Sequence, residues 1–246
     1  MKLLVCISKA PDTTSKIAFT DGDTKFDENG VQFIINPSDE WYALVRAIEL
    51  KEQNGGEVTV ITVGTPADDS IIRKALAIGA DNAVRINMEP KDAFSVAYEI
   101  AEYAKSNAFD IVFTGKETIN YNGSQVGGMI AEMMGLPYVS IATKLDMDGT
   151  TATLHREITG GDEVVEVETP FVVSATKGMA EQRISKMKGI MAARKKPLTV
   201  VEPTVNEQLV SFVKYGLPSA KSECKMIDPE NMEELVSLLH NEAKVI

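Results

Sequence analysis

Side chains that shuttle protons or attack substrates are scarce in this chain. It has two histidines, His155 and His240, and two cysteines, Cys6 and Cys224, with no Cys-x-x-Cys pair. That inventory excludes a disulfide framework and a cysteine zinc site, and it leaves little for a metal centre or a Ser–His–Asp triad. Cys6 lies in an apolar run and reads as a core thiol. His155 falls in an alternating hairpin segment and reads as exposed. The residues able to hold a ligand are instead neutral donors set among glycines. Gly115, Lys116, Glu117, Thr118, Ile119, Asn120, Tyr121, Asn122, Gly123, Ser124, Gln125 and Val126 form a long loop running into Gly127-Gly128 and a helix. Free backbone N–H groups at a helix start can receive a phosphate, and Asn120, Asn122, Ser124 and Gln125 add side-chain donors. The loop is not a Walker A motif: Glu117 follows Gly115-Lys116, and Asp110 stands where the upstream glycine is required. Nor is it Gly-x-Gly-x-x-Gly. A flexible βα loop would use the same glycines for turn geometry alone, so both readings stand at this level.

A second candidate is Asn36-Pro37-Ser38-Asp39. Proline presets the backbone ahead of a helix and holds Asn36 extended, where its amide and carbonyl can face a ligand. Helix capping by Ser38 or Asp39 accounts for the same tetrapeptide. Trp41, in the first turn of that helix, reads as packing. A third feature is charge. The chain carries 25 lysines and arginines against 36 acids, a net charge of -11, yet Arg183 to Lys196 gathers six cations in 14 residues. Arg183, Lys186 and Lys188 alternate there with Ile184, Met187, Ile190 and Met191. Such a run is ordinarily a solvated face, but its interleaved methionines and its contrast with an acidic chain favour a docking surface for acidic partners. The same acidity argues against general nucleic-acid binding. No apolar run approaches the roughly 20 residues that span a bilayer. The opening MKLLVCISKAPD turns polar too soon for a signal peptide. A cytoplasmic chain, not inserted in a membrane, is expected.

Elements must bring these segments together. Lys2 to Ser8, Glu57 to Val63, Ala83 to Ile86 and Asp110 to Thr114 read as strands, the longer ones as near-continuous apolar runs covered on both faces. Asp39 to Gln53, stopped by Gly55-Gly56, reads as a helix, as do Asp69 to Ile78, Lys91 to Ser106 and Gly123 to Met134. Strands alternating with helices of about 10 to 15 residues imply right-handed βαβ units and a parallel sheet. Beyond Val139 the pattern becomes hairpin-like: Ala142 to Asp148, Thr151 to Ile158 and Asp162 to Glu168 alternate, with turns at Asp148-Gly149 and Gly160-Gly161. Pro170 to Ala175 is a further buried strand, and the tail holds one amphipathic helix, Pro229 to Glu242. The fold expected is α/β: a Rossmann-like parallel sheet with helices on both faces, an antiparallel hairpin extension and a C-terminal arm. Residues 1–200 would form the α/β domain and 201–246 the arm. Ligands of such sheets bind at the carboxyl ends of the strands, which here are followed by Ser8 to Asp12, Val63 to Pro66 and Gly115 to Gly128.

In this order the segments resemble the β subunit of electron transfer flavoprotein over essentially the whole chain. The resemblance is carried by Lys9 and Asp12 after the first strand, and by Asn36-Pro37 followed by Leu50-Lys51-Glu52. It continues through Ala75 to Asp81 (ALAIGAD), the loop Gly115-Lys116 to Gln125, and Arg156-Glu157-Ile158 before Gly160-Gly161. It ends with Gly189 to Pro197 (GIMAARKKP), which with the GK…Q loop is the most specific part.

The resemblance implies a carrier subunit without turnover of its own. An α subunit would hold most of one FAD, with this chain lending a shallow wall, and the heterodimer would pass electrons from flavin dehydrogenases, such as acyl-CoA dehydrogenases, to a membrane quinone oxidoreductase. The chain itself would hold AMP at Cys6, Asn36, Pro37, Ser38, Asp39, Val63 and the run Gly115 to Val126. Backbone of Cys6 and Val63 would meet the adenine, and Asn120 to Gln125 the phosphate. The recognition loop for dehydrogenases would fall at about residues 176–196 with Met187 as its apolar anchor. Glu157 would touch the mobile flavin domain of the α subunit, and the C-terminal arm would dock on that subunit. Two departures stand out: Ser38 replaces an aromatic residue, and Asn120-Tyr121-Asn122-Gly123 replaces an acid-rich Asp-Gly-Asp turn. Electron-bifurcating relatives place a second FAD where others hold AMP. An ATP-using enzyme or sensor of similar topology is the rival, but it needs a triphosphate loop and a metal-binding acid, for which only Asp39 and Glu117 are at hand.

Overall fold

The computed structural model describes residues 1–204, 207–221 and 223–246. The opening apolar run becomes β1 (Lys2–Cys6), buried from its second residue onward. Short pieces follow: β2 (Lys9–Pro11), β3 (Phe19–Thr20), β4 (Lys25–Phe26) and β5 (Phe33–Ile35). Then come α1 (Asp39–Asn54), β6 (Glu57–Gly64), α2 (Asp69–Ile78), β7 (Asn82–Asn87), α3 (Ala93–Asn107), β8 (Ile111–Gly115) and α4 (Val126–Met134). The second half runs β9 (Tyr138–Asp148), β10 (Thr151–Ile158), β11 (Gly161–Glu168), β12 (Phe171–Ala175), α5 (Met187–Ala193), β13 (Leu198–Val201) and α6 (Met232–Ser237), which passes into a π-helical turn over Leu238–Ala243.

One sheet of nine strands carries the molecule, in the order β11-β10-β9-β12-β8-β1-β6-β7-β13. From β9 to β13 along that order every pairing is parallel. The chain steps from β1 to β6 and β7 on one side, then crosses back to β8 on the other side of β1. The order therefore reverses between β1 and β8, which is where an open α/β sheet leaves a crevice at its carboxyl edge. Helices cover both faces, as expected. On one face Ala43, Leu44 and Ile48 of α1 and Ile71, Ile72 and Ala75 of α2 pack on Leu3, Val5 and Phe113. On the other, Ala97 and Ile100 of α3 and Ile130 of α4 pack on Leu4, Ile61 and Val112. Burial of apolar side chains on each face, at roughly 25 cal/mol per Å² removed from water, is what holds helices to sheet.

The antiparallel extension runs β9-β10-β11 as expected, and β9 joins it to the rest of the sheet by pairing in parallel with β12, which inserts between β9 and β8. Three expectations need correction. Helix α4 starts at Val126 rather than Gly123: Asn122 and Ser124 take left-handed φ of 51° and 50°, which an α-helix cannot use. Ser38 occupies the position before α1 but its side chain makes no capping bond. The tail helix is shorter than its apolar pattern, with α6 covering Met232–Ser237 before the π turn.

Candidate functional site

The carboxyl ends of β1, β6 and β8 bring Cys6, Val63 and Gly115 to one edge, with Asn36 to Asp39 entering α1 beside them. Backbone atoms tie the segments together. The Asn36 N–H donates to the Ser8 carbonyl at 3.1 Å. The Ser8 N–H and hydroxyl in turn meet the Glu40 carboxyl at 2.6 and 2.8 Å. Gly115 explains how α1 can come so near β8: a Cβ there would lie 2.8 Å from the Glu40 nitrogen and 3.0 Å from Asp39 Cβ. Any side chain would force the helix start away from the strand.

Two carboxyls are enclosed here. Glu40 is 6% exposed. Burial pushes its carboxyl up to about 8, outweighing the lowering effect of the Ser8 hydrogen bonds, and Asp39 adds to the rise. Burial also raises Asp39, opposed by Lys116 and by the Thr176 hydroxyl, which donates to Asp39 Oδ1 at 3.2 Å. Asn36 is the clearest anomaly. It is 0% exposed, and both its amide nitrogen and its amide oxygen lack a partner. A buried amide without hydrogen bonds costs about 1–3 kcal/mol, so native proteins rarely keep one without a use.

The Gly115–Val126 loop lies alongside. The Lys116 N–H is held by the Ala175 carbonyl at 2.8 Å, while its ammonium pairs with Glu117 at 3.1 Å. Ser124 donates to Glu117 Oε2 at 3.3 Å. Tyr121 and Asn122 both donate backbone N–H groups to the Thr118 carbonyl, closing a turn at the loop's tip. Asn120, Asn122, Gly123, Ser124 and Gln125 are exposed, and Gln125 makes no side-chain cap to α4. Thr118, Ile119 and Val126 are the loop's remaining members. The single cation of this loop is already neutralised, so its donors are mostly neutral.

The basic stretch folds as α5 and its flanks. Ile184 and Met187 are 78% and 73% exposed, and Ile190 and Met191 are exposed beside them with Lys186 and Lys188. Arg183 is tied to α1 at the surface, its guanidinium forked onto Glu52 at 2.8 and 3.1 Å. Lys196 likewise clasps its own molecule, donating to the Leu76 and Ala80 carbonyls. Glu157 is exposed on β10, facing Asp162 of β11 in register, well away from the Asn36 site in the order of strands. Sequence reasoning missed Glu40 and Thr176 at the site. An acid in a first helical turn is favoured by the helix dipole anyway, so nothing local marked Glu40.

The fold is that of a doubly wound α/β protein whose strand order reverses at the β1–β8 switch. The chain belongs to the electron transfer flavoprotein family: the family model for the electron transfer flavoprotein domain matches residues 23–206. It is 36% identical to electron transfer flavoprotein subunit beta of Bacillus subtilis over the whole of both chains. It is 37% identical to the subunit beta of Syntrophomonas wolfei, covering 94% of this chain and 91% of that one. Acryloyl-CoA reductase electron transfer subunit gamma of Anaerotignum propionicum is 30% identical, with 97% and 98% covered. No helix among the described residues is long and apolar enough to cross a membrane.

Proposed function

We propose that this chain is the β subunit of a heterodimeric electron transfer flavoprotein, with AMP at the β1–β8 edge and a wall of the site for an FAD held mainly by the α subunit. Electrons would pass from flavin dehydrogenases, such as acyl-CoA dehydrogenases, to a quinone oxidoreductase, and the chain would turn over no substrate itself. The observation that carries the nucleotide is Asn36. Its amide donor and acceptor, both unmet, are enclosed where the Asn36 backbone is tied to Ser8 after β1, and an adenine edge that reached them would offer the complementary pair. Cys6 and Val63 supply apolar walls, and the turn Asn120 to Gln125 supplies neutral donors for one phosphate. A triphosphate would call for free cations, and Lys116 is already paired with Glu117. Bound FAD would supply the electron chemistry. This chain's part is to hold geometry, with Glu157 and the arm toward the α subunit and the Met187 face toward electron donors.

The test is co-expression with the α partner, followed by chromatography and mass spectrometry of the small molecules released on denaturation. AMP together with FAD is expected, and Asn36→Ala should lower AMP while leaving FAD in place. A second equivalent of FAD without AMP would assign the electron-bifurcating form. ATP with magnesium-dependent hydrolysis would overturn the carrier reading.

A further inference from the structure

The arm beyond β13 returns across the carboxyl edge of the sheet. Asp92 caps α3 through Oδ1, which accepts the Ser95 N–H at 2.7 Å. Its other oxygen accepts the N–H groups of Leu209 and Val210 at 2.7 and 2.9 Å. From there the chain lays Phe212 against Tyr121, ring centroids 5.6 Å apart, and against Tyr215 at 5.6 Å. Tyr215 stacks on Phe19 at 5.1 Å with 11° between the rings. The Tyr215 N–H donates to the Asp23 carbonyl at 2.8 Å, and Lys214 lies 3.4 Å from the Asp23 carboxylate. The three anchors therefore sit on the connection that follows β7, the connection that follows β8, and the β3–β4 hairpin. The first two leave the carboxyl edge of the large sheet directly, and the third belongs to the excursion between β1 and α1. The middle anchor, Tyr121, is the tip of the Gly115–Val126 loop.

We propose that residues 207–215 form a strap over the mouth of the nucleotide site, in which Phe212 and Tyr215 are positioning residues that hold the Tyr121 turn closed. This rests on the nucleotide reading above. A bound nucleotide then leaves only after the aromatic stack opens. Meanwhile Leu209, Val210 and Val213 of the same segment stay exposed, Val213 at 83%. An apolar partner surface laid on them would keep the strap down.

The experiment uses the co-purified heterodimer and follows release of its AMP into excess competing AMP. Loss of the two ring contacts that tie the strap to the body, Phe212 on Tyr121 and Tyr215 on Phe19, predicts about ten-fold faster release in the Phe212→Ala/Tyr215→Ala double variant. FAD content and heterodimer mass should be unchanged, and release should return to the parent rate in Phe212→Tyr/Tyr215→Phe. Asp92→Asn gives a second variant that keeps the α3 cap but cannot accept both arm N–H groups, and it should also speed release. Unchanged release in both variants overturns the strap while leaving the nucleotide reading intact. Loss of FAD or of the partner alongside faster release overturns it in favour of a docking role. A heterodimer that contains no nucleotide overturns both readings.

Discussion

At the scale of single residues the site is built from groups that are costly to bury and are kept buried. Glu40 shows the consequence for pH. Its carboxyl has the ordinary value of 4.5 when the chain is unfolded and is pushed up to about 8 by burial in the fold. Between those values the folded state holds the proton and the unfolded state does not. Stability contributed by this group is therefore complete below about 4.5 and declines as pH rises through 8, where a buried charge must form. Glu40→Gln removes the titration yet keeps the shape and can still meet both Ser8 groups. The denaturant midpoint of the parent chain should fall relative to the variant between about pH 5 and pH 8, as measured by chemical unfolding across that range. Parallel curves would show that Glu40 ionises freely in the fold. Asp39 shifts in the same direction and raises Glu40 in turn, so the comparison reads Glu40 with its Asp39 neighbour in place.

Among elements, close backbone approach decides what can move. Helix α5 rests on α2 through Gly189, where a Cβ would run into the Ala77 carbonyl. Arg73 fastens the same junction, donating to the carbonyls of Ala193 and Lys196 at 2.8 and 2.7 Å. Gly189→Ala should push α5 off its seat and cost about 1–3 kcal/mol, as overpacking does, with a lowered melting temperature as the readout. A variant as stable as the parent would mean that α5 shifts freely on α2. The same scale shows what the sequence could and could not announce. Helix α2 was legible to its ends because its apolar spacing, its leading acid and Gly79 all agree. The edge that gathers Cys6, Val63 and Gly115 was legible because buried parallel strands read as apolar runs and their carboxyl ends are known from chain direction, whereas Asn36 was a separate candidate at a helix start. The small sheets β2–β5 and β3–β4 were not, since pieces of two or three residues carry no measurable period. Neither was the parallel seat of β9, because alternation marks a half-exposed strand and says nothing about its neighbour's direction. The start of α4 was hidden by two non-glycine residues in left-handed conformation, which composition does not reveal. Glu40 became visible only once β8 had closed over α1.

Across the whole molecule, charge and apolar exposure are unevenly spread, and the docking reading depends on that unevenness. On the docking reading, a chain of net charge -11 would repel acidic partners from most directions and admit them where Lys186 and Lys188 flank Met187. Met187 is 73% exposed, so truncating it removes little from this fold. Met187→Ala in the heterodimer should leave melting temperature and FAD content unchanged. It should raise the KM for a reduced flavin dehydrogenase about ten-fold, the usual cost of losing a central apolar anchor. Lys186→Glu with Lys188→Glu should act differently, slowing association and flattening or inverting its dependence on salt, because flanking charges steer encounters more than they hold the complex. Stopped-flow electron transfer at several ionic strengths separates the two. If Met187→Ala lowers stability or FAD content together with electron acceptance, Met187 is a structural residue and the dehydrogenase docks elsewhere. If the charge reversals leave the association rate untouched, the basic stretch is a solvated face and nothing more.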